Sequence, residues 1–295
     1  MTRSAAAPSA AAAPGTGAPS GTNDTAGARR IADAFEAARA SGRIALIPYV
    51  VAGYPDAATS LRIALAAIDA GADLLEVGLP YSDPLADGAT LQRASQIALA
   101  AGATLEGSLR LIEEIAAARP TTPIVPMGYA NQFLGGGDGR VAAGRLSRAG
   151  AAGVIVADLT PDEGGPFEAV ARDNGLAVVY LVAPTTPPAR RAVVAARSGG
   201  FLYCVSLVGV TGARTELPES VGSLVRDVSA VSPVPVGVGF GVSQLAHVRA
   251  IATAGAAGVI VASALVDALG DDGTDLVAMI RLVKDLAGGT RIYAG

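Results

Sequence analysis

Short apolar runs rich in Val, Ile and Leu alternate along this chain with longer stretches whose apolar residues recur at helical spacing. That alternation predicts repeated βαβ units around a parallel sheet. Eight runs read as strands: IALIPYV from Ile44, DLLEVGL from Asp73, PIVPMGY from Pro123, GVIVAD from Gly153, AVVYLV from Ala177, FLYCVSL from Phe201, VPVGVGF from Val234 and GVIVASA from Gly258. An amphipathic helix around Ile31 to Ala40 precedes them. Helices between the strands end repeatedly in glycine, as in SLRIALAAIDAG from Ser60 to Gly71, RLSRAG to Gly150 and VRAIATAG to Gly255, because glycine tolerates the left-handed backbone that stops a helix. Eight evenly spaced units in about 265 residues predict a single closed (β/α)8 TIM barrel of the α/β class. The rival is a doubly wound open sheet, but no strand is followed by a GxGxxG turn.

The first 28 residues break the pattern. They are mostly Ala, Pro, Gly, Ser and Thr with almost no large apolar side chains, so residues 1–28 are expected to stay disordered and residues 29–295 to form the barrel. The stretch has no continuous apolar run of the kind a signal peptide needs.

Composition then removes several kinds of chemistry. A net charge of -4 without a basic cluster argues against nucleic acid as a partner, and no apolar run is long enough to span a membrane. The one cysteine, Cys204, excludes an internal disulfide framework and a cysteine-based zinc site, and fits a reducing cytoplasm. Lys284 is the only lysine and reads as a solvated position in the last helix, which makes imine catalysis improbable. His247 is the only histidine and reads as an ordinary helix residue, so Ser-His-Asp and Cys-His arrangements are not expected. A divalent metal held by carboxylates alone stays open.

What remains is carboxylate chemistry, concentrated in LLEVGLPYSDPLADGATLQ from Leu74 to Gln92. Alternate strand residues face opposite sides, so Glu76 shares a face with Leu74 and Gly78. A carboxylate on a buried strand face has its charged form disfavoured, which suits a group that gives and takes a proton near neutral pH. The competing reading is a buried glutamate paired with an arginine. Asp87 follows in a loop where water or backbone amides are expected to keep it ionised, and turn or cap roles compete for Asp83 and Asp87.

In a TIM barrel the active site lies at the C-terminal ends of the strands. Tyr129 and Asn131 close the third predicted strand, Asp158 ends the fourth, and Tyr203 lies on the sixth, ahead of GVTG. Gly239, Phe240 and Gly241 close the seventh, and Ser263 the eighth. Glycines and a serine after the last two strands predict a phosphate site built from backbone N–H groups and a helix N-terminus, with no lysine required.

These residues are where the chain resembles the alpha subunit of tryptophan synthase. PYVVAGYPD, LEVGLPYSDPLADGATLQ, GYAN, VADLTPDE, LVAPTTPPAR, YCVSLVGVTGAR, VGVGFG and GVIVASALV occur in the family's order and approximate spacing, over nearly everything from Ile44 to Leu269. The resemblance implies a barrel lyase, free of any cofactor of its own, that cleaves indole-3-glycerol phosphate to indole and glyceraldehyde 3-phosphate. It also implies a tryptophan synthase beta subunit, carrying pyridoxal phosphate, as partner in a heterotetramer. Without a Schiff-base lysine or a metal cluster, the electron sink for carbon–carbon cleavage must come from the substrate, and an indole protonated at C3 supplies one.

By residue-level match, Glu76 is the implied general acid/base, and Asp87 the implied carboxylate on the indole N–H. Tyr203 would lie beside the reacting glycerol chain, while Tyr49, Met127 and Tyr129 would frame the indole pocket. Thr211 would belong to a closing loop that orders Asp87; Gly212, Gly241 and Ser263 would hold the phosphate; Asp83 and Asn131 would fall at the beta-subunit interface. The chain departs from the family at Ala89, where proline is usual, and at Ala262, where glycine is usual. The segment from Gly135 to Gly144 also lacks a common aromatic residue. Those departures leave room for a stand-alone lyase releasing free indole. A weakly catalytic subunit that binds and switches a partner, or another phosphate-sugar barrel enzyme such as an isomerase, fits the paired carboxylates less well.

Overall fold

The computed structural model describes residues 24–135, 137–205, 219–239 and 241–291. Its strands are β1 (Ala45–Val51), β2 (Leu75–Gly78), β3 (Ile124–Gly128), β4 (Gly153–Val156), β5 (Ala177–Val179), β6 (Leu181–Val182), β7 (Leu202–Val205), β8 (Val236–Gly239) and β9 (Gly258–Val261). Every pairing is parallel, in the order β5-β4-β3-β2-β1-β9-β8-β7-β6. The two strands at the ends of that order are consecutive in the chain, so the sheet closes on itself as a barrel.

The eight expected strands are all present, the fifth of them divided at Tyr180 into β5 and β6. The strand is interrupted at Tyr180 because its N–H donates to the Ser198 hydroxyl at 3.0 Å and not to a neighbouring strand, although its carbonyl still accepts the Tyr203 N–H at 3.0 Å. Its own hydroxyl donates to Glu168, which Arg197 holds from the other side, tying the helices Pro161–Asp173 and Pro188–Arg197 together outside the barrel.

Helix ends follow the expected chemistry, with shifts where a cap decides. Gly150 and Gly255, at φ of 91° and 96°, stop the helices Arg140–Arg148 and Leu245–Thr253. The helix expected from Ser60 starts earlier, at Ala57, because the Asp56 carboxylate accepts the Thr59 N–H at 2.9 Å.

The opening helix also starts earlier than Ile31, at Ala26, inside the stretch expected to stay outside the core. Thr25 caps it by accepting the Ala28 N–H at 3.0 Å, and the Gly27 N–H donates to the Gly175 carbonyl at 2.8 Å. A methyl group on Gly27 would lie 1.7 Å from the Ala152 oxygen, so only glycine permits this approach. Apolar content underestimated the segment because its contact is made through backbone. From this helix Phe35 packs on Phe201 at 5.7 Å between ring centres, and Ile31 approaches Gly153 and Gly200. It therefore plugs the N-terminal end of the barrel and leaves the opposite end for chemistry. Among the described residues, no helix is long and apolar enough to cross a membrane.

Candidate active site

Glu76 sits on β2 level with Tyr49 of β1 and Val125 of β3, wholly shielded from solvent. Neither of its carboxyl oxygens has a hydrogen-bond partner among the described residues, so the arginine-paired reading fails. Burial holds its carboxyl well above the usual range, and the charge of Asp87 pushes the same way. An orphaned buried carboxyl costs stability, and such groups gather where function requires them.

Glycine shapes the wall around it. A methyl group on Gly78, on the Glu76 face of β2, would lie 1.8 Å from the Tyr49 hydroxyl oxygen. The missing side chain is the notch into which the Tyr49 ring fits. On the opposite wall a methyl on Gly239 would lie 2.7 Å from the Tyr203 hydroxyl oxygen, while the Tyr203 ring packs on Phe201 at 6.0 Å. Burial, then the charges of Glu76 and Asp87, raise the Tyr203 phenol well above its ordinary value. Tyr49 is raised by burial and by the same two carboxylates. Met127, level with Gly78, adds a half-buried thioether to this face.

Asp87 is half-buried between the exposed Ala86 and Gly88, and burial raises its carboxyl to about 6, which leaves it ionised above that pH but less solvated than an open loop suggests. Its backbone is held from several directions. The Asp87 N–H donates to the Pro84 carbonyl at 3.0 Å, and the preceding Ala86 N–H donates to the Tyr129 hydroxyl at 2.9 Å. Tyr129 is buried, with its phenol pushed up to about 12 chiefly by that burial, and its ring stacks on Tyr81 at 5.0 Å.

Two glutamines that sequence reasoning passed over do much of this fixing. Gln132 accepts the Tyr129 N–H and donates to the Pro80 carbonyl, each at 3.0 Å, so it ties the end of β3 to the loop after β2. Its place three residues after Tyr129, at the start of the helix Ala130–Leu134, is the spacing at which side chains reach back to helix caps. Gln92 donates to the Asp87 carbonyl at 2.9 Å from within the helix Ala89–Ala100. Asp158 accepts the Ala130 N–H at 2.7 Å and so fixes the start of the helix after β3.

The other predicted residues that the structure describes lie at the same end of the barrel. Gly241, at φ 45°, follows β8, and Ser263 opens the short helix Ser263–Ala268 after the adjacent β9, with half-buried Ala262 before it. Thr211 and Gly212 lie outside the described residues. Asp83 and Asn131 are exposed, as is Leu85, 92% accessible. Ala89 is the exposed first residue of its helix.

The family model for the tryptophan synthase alpha chain matches residues 35–290. The alpha chain of Roseiflexus castenholzii is 49% identical over 240 residues, covering 81% of this chain and 91% of that protein. The alpha chain of Mycobacterium avium is 43% identical over 267 residues, covering 90% and 95%. Among solved structures, tryptophan synthase of Mycobacterium tuberculosis superposes with a TM-score of 0.82 at 41% identity, over 89% of this chain and 98% of that one. A mutant alpha-subunit from Pyrococcus furiosus gives 0.77 at 36% identity, over 83% and 99%.

Proposed function

This chain belongs to the tryptophan synthase alpha chain family, and we propose that Glu76 and Asp87 carry out its lyase reaction, the cleavage of indole-3-glycerol phosphate to indole and glyceraldehyde 3-phosphate. The observation that supports these roles most is the Glu76 carboxyl itself, buried, without a partner, and facing the same space as Asp87, Tyr49 and Tyr203.

A carboxyl whose burial favours the neutral form starts as an acid. Glu76 gives its proton to C3 of the indole ring, making an indolenine cation whose positive charge lies at the ring nitrogen. Asp87, ionised above about pH 6, accepts the ring N–H and balances that charge. Glu76, now a carboxylate, takes the proton of the hydroxyl on the side-chain carbon attached to C3. The oxygen lone pair closes the aldehyde C=O, the carbon–carbon bond breaks, and its electrons restore the ring double bond. Glu76 ends protonated, ready for another cycle, and each of the two carboxyls contributes on the order of 10²–10⁴ in rate.

Tyr203 would position the glycerol chain, and Tyr49, Met127 and Tyr129 the indole. Gly212, Gly241 and Ser263 would cradle the phosphate at the ends of the last two strands. The exposed rim bearing Asp83 and Asn131 would meet the beta subunit, and the single-cysteine composition fits cytoplasmic chemistry.

Indole release from indole-3-glycerol phosphate by the purified chain, with and without a tryptophan synthase beta subunit and with Glu76→Gln as blank, tests this reading. Slow release that rises strongly with the beta subunit supports an alpha subunit, whereas fast release indifferent to it would indicate a stand-alone lyase. No release above the blank under either condition would overturn the roles given to the carboxylates.

A further inference from the structure

Asp87 precedes a helix whose N-cap, Gly88, has no side chain with which to cap it, and whose first residue is Ala89. Neither residue restricts the backbone at the point where Asp87 must be aimed. The restraint comes from further along, where the half-buried Gln92 turns its side-chain amide back and donates to the Asp87 carbonyl at 2.9 Å. The Gln92 backbone N–H meanwhile donates to the Gly88 carbonyl at 3.0 Å, so one residue holds the carbonyls of both Asp87 and Gly88. On the other flank the Ala86 N–H is fixed by Tyr129.

We propose that Gln92 is a positioning residue for the lyase reaction, acting on the substrate only through Asp87. The proposal rests on the role given to Asp87 above. The Asp87 carboxylate must meet the ring N–H as charge develops, and a displacement of about 1 Å at such a point is enough to cost up to 10²-fold in rate. The helix carrying Gln92 packs on the helix Ser263–Ala268, but the Gln92 side-chain amide itself bonds to Asp87 and not to Gly241 or Ser263, so its removal is expected to act on kcat rather than on KM.

Three variants, assayed with the beta subunit if turnover requires it, test this. Gln92→Met keeps the side-chain length and removes the donor; it should lower kcat about tenfold with KM within about twofold and the melting temperature unchanged. Gln92→Glu can donate only when its carboxyl is protonated, so its kcat relative to wild type should climb as the pH falls, while the Gln92→Met ratio stays flat. Asp87→Asn measures the role on which the proposal depends. Wild-type kcat in Gln92→Met, a Gln92→Glu ratio that does not move with pH, or a loss expressed in KM and melting temperature with kcat preserved would overturn the positioning role while leaving Asp87 in place. Near-normal turnover in Asp87→Asn would remove both.

Discussion

The hydroxyl oxygen of Tyr129 lies 2.9 Å from the backbone nitrogen of Ala86, so the end of β3 holds the residue directly before Asp87. A side chain placed by sequence matching at the wall of the indole pocket thus has a second task. It fixes a loop that contributes a carboxylate from a different strand. Tyr129→Phe keeps the ring and its stacking on Tyr81 but leaves the Ala86 N–H without its acceptor. The expected cost is ~1–2 kcal/mol in stability together with a severalfold loss of kcat, read by thermal melts and by indole release. Unchanged values for both would show that water serves that amide equally well.

Glu76 is expected to oppose folding. Its two partnerless oxygens are desolvated, so Glu76→Met should raise stability by ~1–3 kcal/mol while abolishing turnover. The pH dependence has a definite sign. The folded state holds this proton more tightly than the unfolded chain, so Glu76 costs nothing for its charge below the unfolded carboxyl's pKa. Above that value wild-type stability falls as the pH rises toward the folded pKa. The gain in Glu76→Met should therefore widen with pH, and denaturant melts at several pH values would show it. A variant less stable than wild type at every pH would mean that the carboxyl has a favourable role in the fold.

Activity should titrate with Asp87 on the acid side. Asp87 works ionised and burial raises it to about 6, so kcat/KM should fall as the pH drops through about 6. Glu76 works from its protonated form and is raised well above the ordinary range, so the alkaline limb should lie above that range too. Asp87→Asn should be slow and lack the limb near 6. A wild-type profile flat between pH 7 and 5 would contradict this assignment.

Gly78 should resist substitution for a steric reason that can be relieved. Its added methyl group would lie 1.8 Å from the Tyr49 hydroxyl oxygen and 2.3 Å from the ring carbon bearing it, so Tyr49→Phe gives no relief. Gly78→Ala is expected to cost ~1–3 kcal/mol and to displace the ring from the indole wall. Adding Tyr49→Leu should restore much of the stability but not the activity. Equal stability losses in Gly78→Ala with and without Tyr49→Leu would place the strain elsewhere.

Barrel architecture was legible because each strand run is buried on both faces and each helix is punctuated by caps and glycines, and both are local properties. Tyr180 was not legible as a strand break, since the Ser198 hydroxyl that takes its amide is distant in sequence. Glu76 could be placed on the buried face by parity alone. The environment of Asp87 could not, because a loop reads as solvated until the partial burial of its side chain and the tether to Tyr129 are seen. Gln92 was missed for a related reason, since its hydrogen bond goes to a backbone carbonyl and leaves no mark on residue type, whereas Gln132 carried a readable signal in its capping position three residues after Tyr129.

The most direct test of the central claim is the rate of indole release from indole-3-glycerol phosphate by Glu76→Gln against wild type, at pH 7 and saturating substrate, each with the beta subunit present. Glutamine keeps the shape and cannot give up and recover a proton, so a fall of at least ~10² in kcat with intact substrate binding is predicted. A Glu76→Gln rate within a few-fold of wild type would contradict the account, because no other group in it moves the proton between C3 and the hydroxyl.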